Sequence, residues 1–302
     1  MSSDKFYKNI SRRNILKTGA AAIAGASASA NLLAAPKKPG EVRVVILAGD
    51  YWHNSMMYER HWRRILGVTG WRLMFAQSAN FITPEVIDNT DLLMFSRYGG
   101  GNLEFTTAGL VEERPGSEVW MTPEQEDSIM DNVVKRGMGL LPFHCSIANE
   151  SNKKVLNLFG VDKMIMHGPL VMSGFYDMNQ DHAITKGVED FEEVDEIFGA
   201  EMLDVNYTPL FRARQNYDLI RKASGDTQEQ FYGTRENFPL DRMAGWCREE
   251  GNGRIVYLNC MSSHTVFWKK SMKEIMWRSA HWAMHKDIPE SGLIEGRSQD
   301  RE

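Results

Sequence analysis

Short apolar runs that alternate with helix-length segments constrain this chain more than any other feature of its sequence. Residues 42–48 read Val-Arg-Val-Val-Ile-Leu-Ala, too short for a buried helix and continuous enough for a strand covered on both faces. A loop at 49–54 leads into a helix at 55–66, with Ser55 as its candidate N-cap. A second strand is expected at 71–76, and Pro84 after Thr83 opens a short helix. A third strand at 91–96 ends in Tyr98-Gly99-Gly100-Gly101, and this glycine run lacks the strand–glycine–helix context of a nucleotide site. Thr122-Pro123-Glu124-Gln125 has the capping-box pattern and starts a helix that stops at Gly137. Strand 139–143 runs into His144, and a helix at 149–159 closes on Gly160. Such alternation predicts βαβ units and a single α/β domain built on a flavodoxin-like, doubly wound, mainly parallel sheet. The later chain is less regular. Strand-like runs fall at 194–203, 210–214, 244–248 and 255–258, and a helix at 270–285 closes the domain. Residues 102–120 read as an insertion and 224–240 as a polar loop.

The N-terminus follows other rules. Ser11-Arg12-Arg13-Asn14-Ile15-Leu16-Lys17 is a twin-arginine pattern, followed by a weakly apolar stretch rich in Ala, Gly and Ser. Small-residue cleavage sites end at Ala28, Ala30 or Ala35. The expected division is a signal peptide over 1–35, the α/β domain over 36–290 and a polar tail over 291–302. This leader predicts a periplasmic or secreted protein, exported already folded and with any metal in place. Its apolar stretch is short and interrupted, so no stable membrane anchor is expected. A net charge of −5 offers nothing to a phosphate backbone, which excludes nucleic acid as the partner. Cys145, Cys247 and Cys260 are odd in number and lack paired spacing, so no disulfide framework is implied.

Ligands of open parallel sheets bind at the carboxyl ends of the strands. Three of the eight histidines fall at such points. His53 follows the first strand within Gly-Asp-Tyr-Trp-His-Asn, His144 follows strand 139–143 directly, and His264 follows strand 255–258 after a tight turn. Each alone could be a hydrogen-bonded loop histidine; three at strand exits point to a site. Glu196 stands with Asp195 in a strand-like run where charge is unexpected. Tyr51 and Trp52 beside His53 either stack on a ligand or pack. His61 and His167 read as surface residues, and His281 and His285 as cations near a helix C-terminus.

The chain resembles the ThuA-like (trehalose-utilisation) family in six segments that occur in one order. They are Gly49-Asp50-Tyr51-Trp52-His53-Asn54-Ser55, Phe143-His144-Cys145-Ser146, residues 181–187 (Asp-His-Ala-Ile-Thr-Lys-Gly), residues 194–198 (Val-Asp-Glu-Ile-Phe), the 253–257 strand running to His264, and residues 279–283 (Ser-Ala-His-Trp-Ala). Ala183 stands where the family usually has Pro. The resemblance implies a class I glutamine amidotransferase-like fold and a role on a sugar, trehalose or an oxidised 3-keto-glycoside, with a sugar dehydrogenase as a candidate pathway partner. It also puts His144, rather than Cys145, at the elbow where that fold carries its nucleophile.

Two chemistries fit these residues. In one, His53, His144 and His264, with Glu196 nearby, hold a divalent ion such as zinc or another first-row metal. His144, His264 and Glu196 are then the catalytic candidates, and Tyr51, Trp52 and His182 the candidate sugar contacts. In the other, Cys145 is a nucleophile with His264 as its base. A neutral histidine pair doing acid–base work, or a non-catalytic sugar-binding role, also remains open.

Overall fold

The computed structural model describes residues 35–50, 53–97, 103–105, 111–113, 120–148, 152–216, 218–219, 241–290 and 292, without side-chain detail at 103–105, 111–113, 166 and 167. The leader pattern, Tyr51, Trp52, the glycine run at 99–101, most of the 102–120 insertion, the 224–240 loop and the His167 side chain lie outside that description. No described helix is long and apolar enough to cross a membrane.

The strands are β1 (Arg43–Ala48), β2 (Arg72–Ala76), β3 (Leu92–Ser96), β4 (Leu103–Phe105), β5 (Val111–Glu113), β6 (Gly139–Pro142), β7 (Val161–His167), β8 (Val171–Tyr176), β9 (Phe191–Asp195), β10 (Phe198–Met202), β11 (Thr208–Gln215), β12 (Asp241–Glu250) and β13 (Gly253–Leu258). Nine of them form one sheet in the order β2-β1-β3-β6-β13-β12-β11-β8-β9. The first five are parallel, in flavodoxin-like order. The other four continue the sheet in antiparallel fashion. The parallel half is the one its sequence predicts: the side chains of β1 and β3 are buried throughout, and each fully buried Val, Ile or Leu contributes about 1.5–3 kcal/mol.

Helices α1 (Ser55–Leu66), α2 (Pro84–Asp88), α3 (Pro123–Asp131), α4 (Lys153–Leu158) and α5 (Lys270–Ala283) connect or cover the strands. α1 buries Tyr58, His61, Trp62, Ile65 and Leu66, one face at helical spacing. Its N-cap is Asn54, whose side chain accepts from Met56 N–H, so the helix begins at Ser55 rather than being capped by it. The capping box at Thr122 and Gln125 forms as the sequence predicts, and Gly137 ends the following turn at φ +83°. The C-terminus of α5 abuts the start of β6, where a Cβ on Gly139 would lie 2.7 Å from the Ala283 carbonyl oxygen. That packing places the end of α5 at the amino edge of the sheet and leaves the carboxyl edge to the strand-exit loops.

Candidate active site

The chain turns over the carboxyl edge immediately after β1. Gly49 has φ +104°, and a Cβ there would meet that of Ser55 at 2.5 Å, so only glycine lets this loop lie against the start of α1. Asp50 then organises the loop. Its Oδ1 accepts from His53 N–H at 3.0 Å and lies 2.7 Å from His53 Nδ1. A carboxylate only accepts, so His53 Nδ1 carries a proton and, in the neutral ring, Nε2 presents its lone pair. Burial works against charge on His53, but Cys145 and Asp50 outweigh it and raise its pKa. A neutral thiol supplies no such field, so near neutral pH the Asp50 carboxylate is the operative cause. Sequence reasoning missed Asp50; a carboxylate three residues before a strand-exit histidine was the available signal.

His144 occupies a sharp strand-to-helix turn after β6, at φ +49° in the left-handed region, as the elbow position requires. The Tyr257 hydroxyl donates to the His144 carbonyl, and the single Ser146 hydroxyl hydrogen is shared between Phe95 O at 2.7 Å and Phe143 O at 2.9 Å. Together they hold the turn. His144 is fully buried, and burial pushes its pKa down. Its Nε2 lies 2.9 Å from His53 Nε2.

Glu196 arrives from the far edge of the sheet. Asp195, the last residue of β9, is fully buried, and its carboxylate accepts from Met261 N–H at 2.6 Å, Ser262 N–H at 2.9 Å and Ser263 N–H at 2.8 Å. This cradle ties the end of β9 to the turn after β13. It brings Glu196 Oε2 to 3.5 Å from His144 Nε2, and Ser262 Oγ donates to the same oxygen at 3.2 Å. Burial pushes the Asp195 carboxyl up, to about 7, against the pull of four backbone donors.

His53, His144 and Glu196 thus each offer one ligand atom within 4.8 Å of the others. Ligand atoms at about 2.0–2.1 Å from a tetrahedral ion lie ~3.3 Å apart; the 2.9 and 3.5 Å separations bracket that value. Two imidazoles and a carboxylate also form a donor set suited to zinc or another first-row ion, and the Asp50–His53 hydrogen bond is the outer-shell support such a ligand needs. Asp50, His53 and Cys145 form a second group of the same size. It would require His53 Nδ1, already given to Asp50, and a thiol that burial keeps protonated.

His264 does not join the group. It is exposed, and its Nδ1 lies 2.8 Å from Nε2 of His61. His61 is 2% exposed, contrary to the surface position expected for it, because it lies on the packed face of α1. Burial, then His264, Arg64 and Arg60, lower its pKa to about 4. His182 also lies elsewhere. Its Nδ1 accepts from Ile184 N–H, its Nε2 lies 3.5 Å from Cys247 Sγ, and its ring meets Trp282 at the end of α5, at the amino side of the sheet. His281 is buried with lowered pKa, so it is not the C-terminal cation expected there. Cys145 is fully buried, and its Sγ lies beside Ser96, Asp50 and His53. Burial raises its pKa. A thiol so placed is neither activated nor paired with His264.

A sheet of flavodoxin-like order with ligand-type side chains gathered at its carboxyl edge defines an α/β protein whose candidate site lies on strand-exit loops. The chain belongs to the ThuA family, described as trehalose utilisation, whose model matches residues 43–283. That membership gives it a carbohydrate-related role. Its fold is similar to a ThuA-like protein from Bacteroides uniformis, at TM-score 0.57 and 13% identity over 86% of this chain and 97% of that one. A ThuA-like protein from Parabacteroides merdae is similar at TM-score 0.59 and 13% identity, over 83% and 94% of the two chains. No curated protein matches the chain.

Proposed function

We propose that this chain is an exported enzyme of carbohydrate processing. In this reading His53, His144 and Glu196 hold a first-row divalent ion, and His264 moves the proton. The observation that carries the reading is the convergence of two buried imidazole nitrogens and one carboxylate oxygen at the carboxyl edge of the sheet. Glu196 is the member with 20% side-chain exposure, so the group opens to a ligand on its side. When bound, the ion polarises a sugar carbonyl as a Lewis acid.

The chain's residues do the rest on a 3-keto-glycoside, the substrate class that the family suggests. The carbonyl at C3 acidifies the C2–H bond. His264 Nε2 takes that proton, the C–H electron pair becomes the C1=C2 double bond, and the glycosidic C1–O bond breaks. The proton then returns from His264 to the departing oxygen, so the proton count is unchanged. Asp50 holds the His53 tautomer, and the Asp195 cradle holds Glu196 and the turn that carries His264. A sugar dehydrogenase is the class of partner that would supply the oxidised sugar.

A metal-free relay has one observation in its favour: His144 Nδ1 is buried with no hydrogen-bond partner among the described residues. A neutral His144 protonated on Nε2 would leave there only an empty acceptor. Its N–H would point to His53 Nε2, completing an Asp50–His53–His144 line.

The test is metal analysis of protein purified from the periplasm, with turnover assayed on 3-keto-glycosides beside unoxidised disaccharides. Stoichiometric metal, with activity lost to a chelator and restored by the ion, supports the proposal. Full activity in metal-free protein selects the relay, and sugar affinity without turnover selects a binding role.

A further inference from the structure

We propose that His61 is a positioning residue that holds His264 in the tautomer protonated on Nδ1, so that the exposed Nε2 exchanges the proton. The inference rests on the reading of His264 as the proton carrier and adds the residue that orients it.

His61 stands on α1 in the buried stripe formed by Tyr58, Trp62 and Ile65, where an apolar side chain would serve packing better. Its ring is clamped, stacked on Phe267 at 4.4 Å and 10° and edge-on to Trp268 at 5.4 Å and 87°. Arg64 covers the Trp268 ring at 4.1 Å. The clamp aims Nε2 at His264 Nδ1, 2.8 Å away and 203 residues along the chain. Among the described residues neither ring makes another hydrogen bond. A histidine kept only for packing is commonly satisfied by a nearby carbonyl; this one is satisfied by an exposed ring beside the candidate site.

His264 is held from the other side as well. The preceding Ser263 N–H is fixed by Asp195, and Ser263 Oγ accepts from Thr265 N–H at 3.2 Å. Ser262 of the same turn touches Glu196. Backbone and ring are therefore both fixed, so His264 Nε2 is presented at one place.

The tautomer follows from hydrogen counting. Each neutral imidazole has one N–H and one lone pair, and the pair shares one hydrogen across the 2.8 Å contact. Charged His264 carries hydrogens on both nitrogens, so it must donate Nδ1–H to a lone pair on His61 Nε2. If neutral His264 kept its hydrogen on Nε2 instead, each proton exchange would force a second hydrogen to move inside the protein. Keeping it on Nδ1 confines the exchange to the exposed nitrogen, which is what a proton carrier needs.

The experiment reads the imidazole tautomers of the full chain by 15N NMR, without substrate, in wild type, His61→Phe and His61→Gln. Phe keeps the stack on Phe267 and removes the acceptor; Gln restores an acceptor oxygen. Neutral His264 is expected as the Nδ1–H form in wild type, to shift toward Nε2–H in His61→Phe, and to return at least in part in His61→Gln. On a 3-keto-glycoside, kcat is expected to fall about ten- to a hundredfold in His61→Phe with KM little changed, a part of the general acid–base contribution. An Nε2–H form in wild type, or a tautomer balance that His61→Phe leaves unmoved, overturns the proposal. Because tautomers are read without turnover, failure of the proposed reaction and failure of the dyad give separate results.

Discussion

Asp195 sets two opposing forces against each other, and their magnitudes can be compared. Its carboxylate is fully buried, which favours the protonated form, and it accepts backbone N–H bonds at 2.6, 2.9 and 2.8 Å, which favour the ionised one. Burial is the larger effect and raises the folded pKa to about 7 from 3.8. A raised folded pKa means that the group's stabilising contribution is complete below the unfolded value and is lost as pH rises through the folded value. The window is therefore about pH 4 to 7, and ~3 units at about 1.36 kcal/mol each give a swing of about 4 kcal/mol. Asp195→Asn removes that titration while keeping the shape. The Asn oxygen can still accept from Ser262 and Ser263, but its amide then faces Met261 N–H, and an unpaired buried donor costs about 1–3 kcal/mol. A protonated Asp195 still offers a lone pair on its hydroxyl oxygen, so the variant should be weaker than wild type by about 1–3 kcal/mol near pH 4 and gain on it up to pH 8. Urea denaturation at pH 4.5, 6 and 8 measures this, and the difference between proteins cancels contributions from other titrating groups. Parallel pH profiles, with the variant weaker by a constant amount, would refute the reasoning: the cradle would then outweigh burial and keep the carboxylate ionised throughout.

Other outcomes follow from the same geometry. His144→Ala should abolish activity and bound metal, whereas Cys145→Ser should retain most activity; a dead serine variant beside an active alanine variant would replace the metal mechanism with a covalent one. Asp50→Asn keeps an oxygen for His53 Nδ1 but loses the charge, so metal affinity measured by calorimetry should fall about ten- to a hundredfold; unchanged affinity would deny Asp50 its supporting role. Replacing Arg12 and Arg13 together by Lys should stop export, as fractionation of cells would show, and normal periplasmic delivery would remove the twin-arginine assignment.

What the sequence shows of this fold depends on how each strand is covered. β1, β3 and β6 are buried on both faces and read as unbroken apolar runs, so the parallel half and its histidine-bearing exits are legible. β8 alternates buried and exposed positions over Val-Met-Ser-Gly-Phe-Tyr, and β7 mixes Asp162 and Lys163 with Met and Ile, so neither stands out from a loop. The run at 194–203 looks continuous, yet the chain leaves the main sheet after Asp195 and enters a separate two-stranded sheet at Phe198. No local pattern marks that break. The contacts that hold the chain there are those of the cradle around Asp195, whose donors lie 66 to 68 residues downstream. The candidate site divides in the same way. His53 and His144 reveal themselves by ending strands, but the choice of Glu196 over His264 as their companion is made by contacts between distant turns. His61 lay in plain view as a polar residue on an apolar helix face. The ring it hydrogen-bonds, His264, lies 203 residues along the chain, beyond the reach of any local pattern.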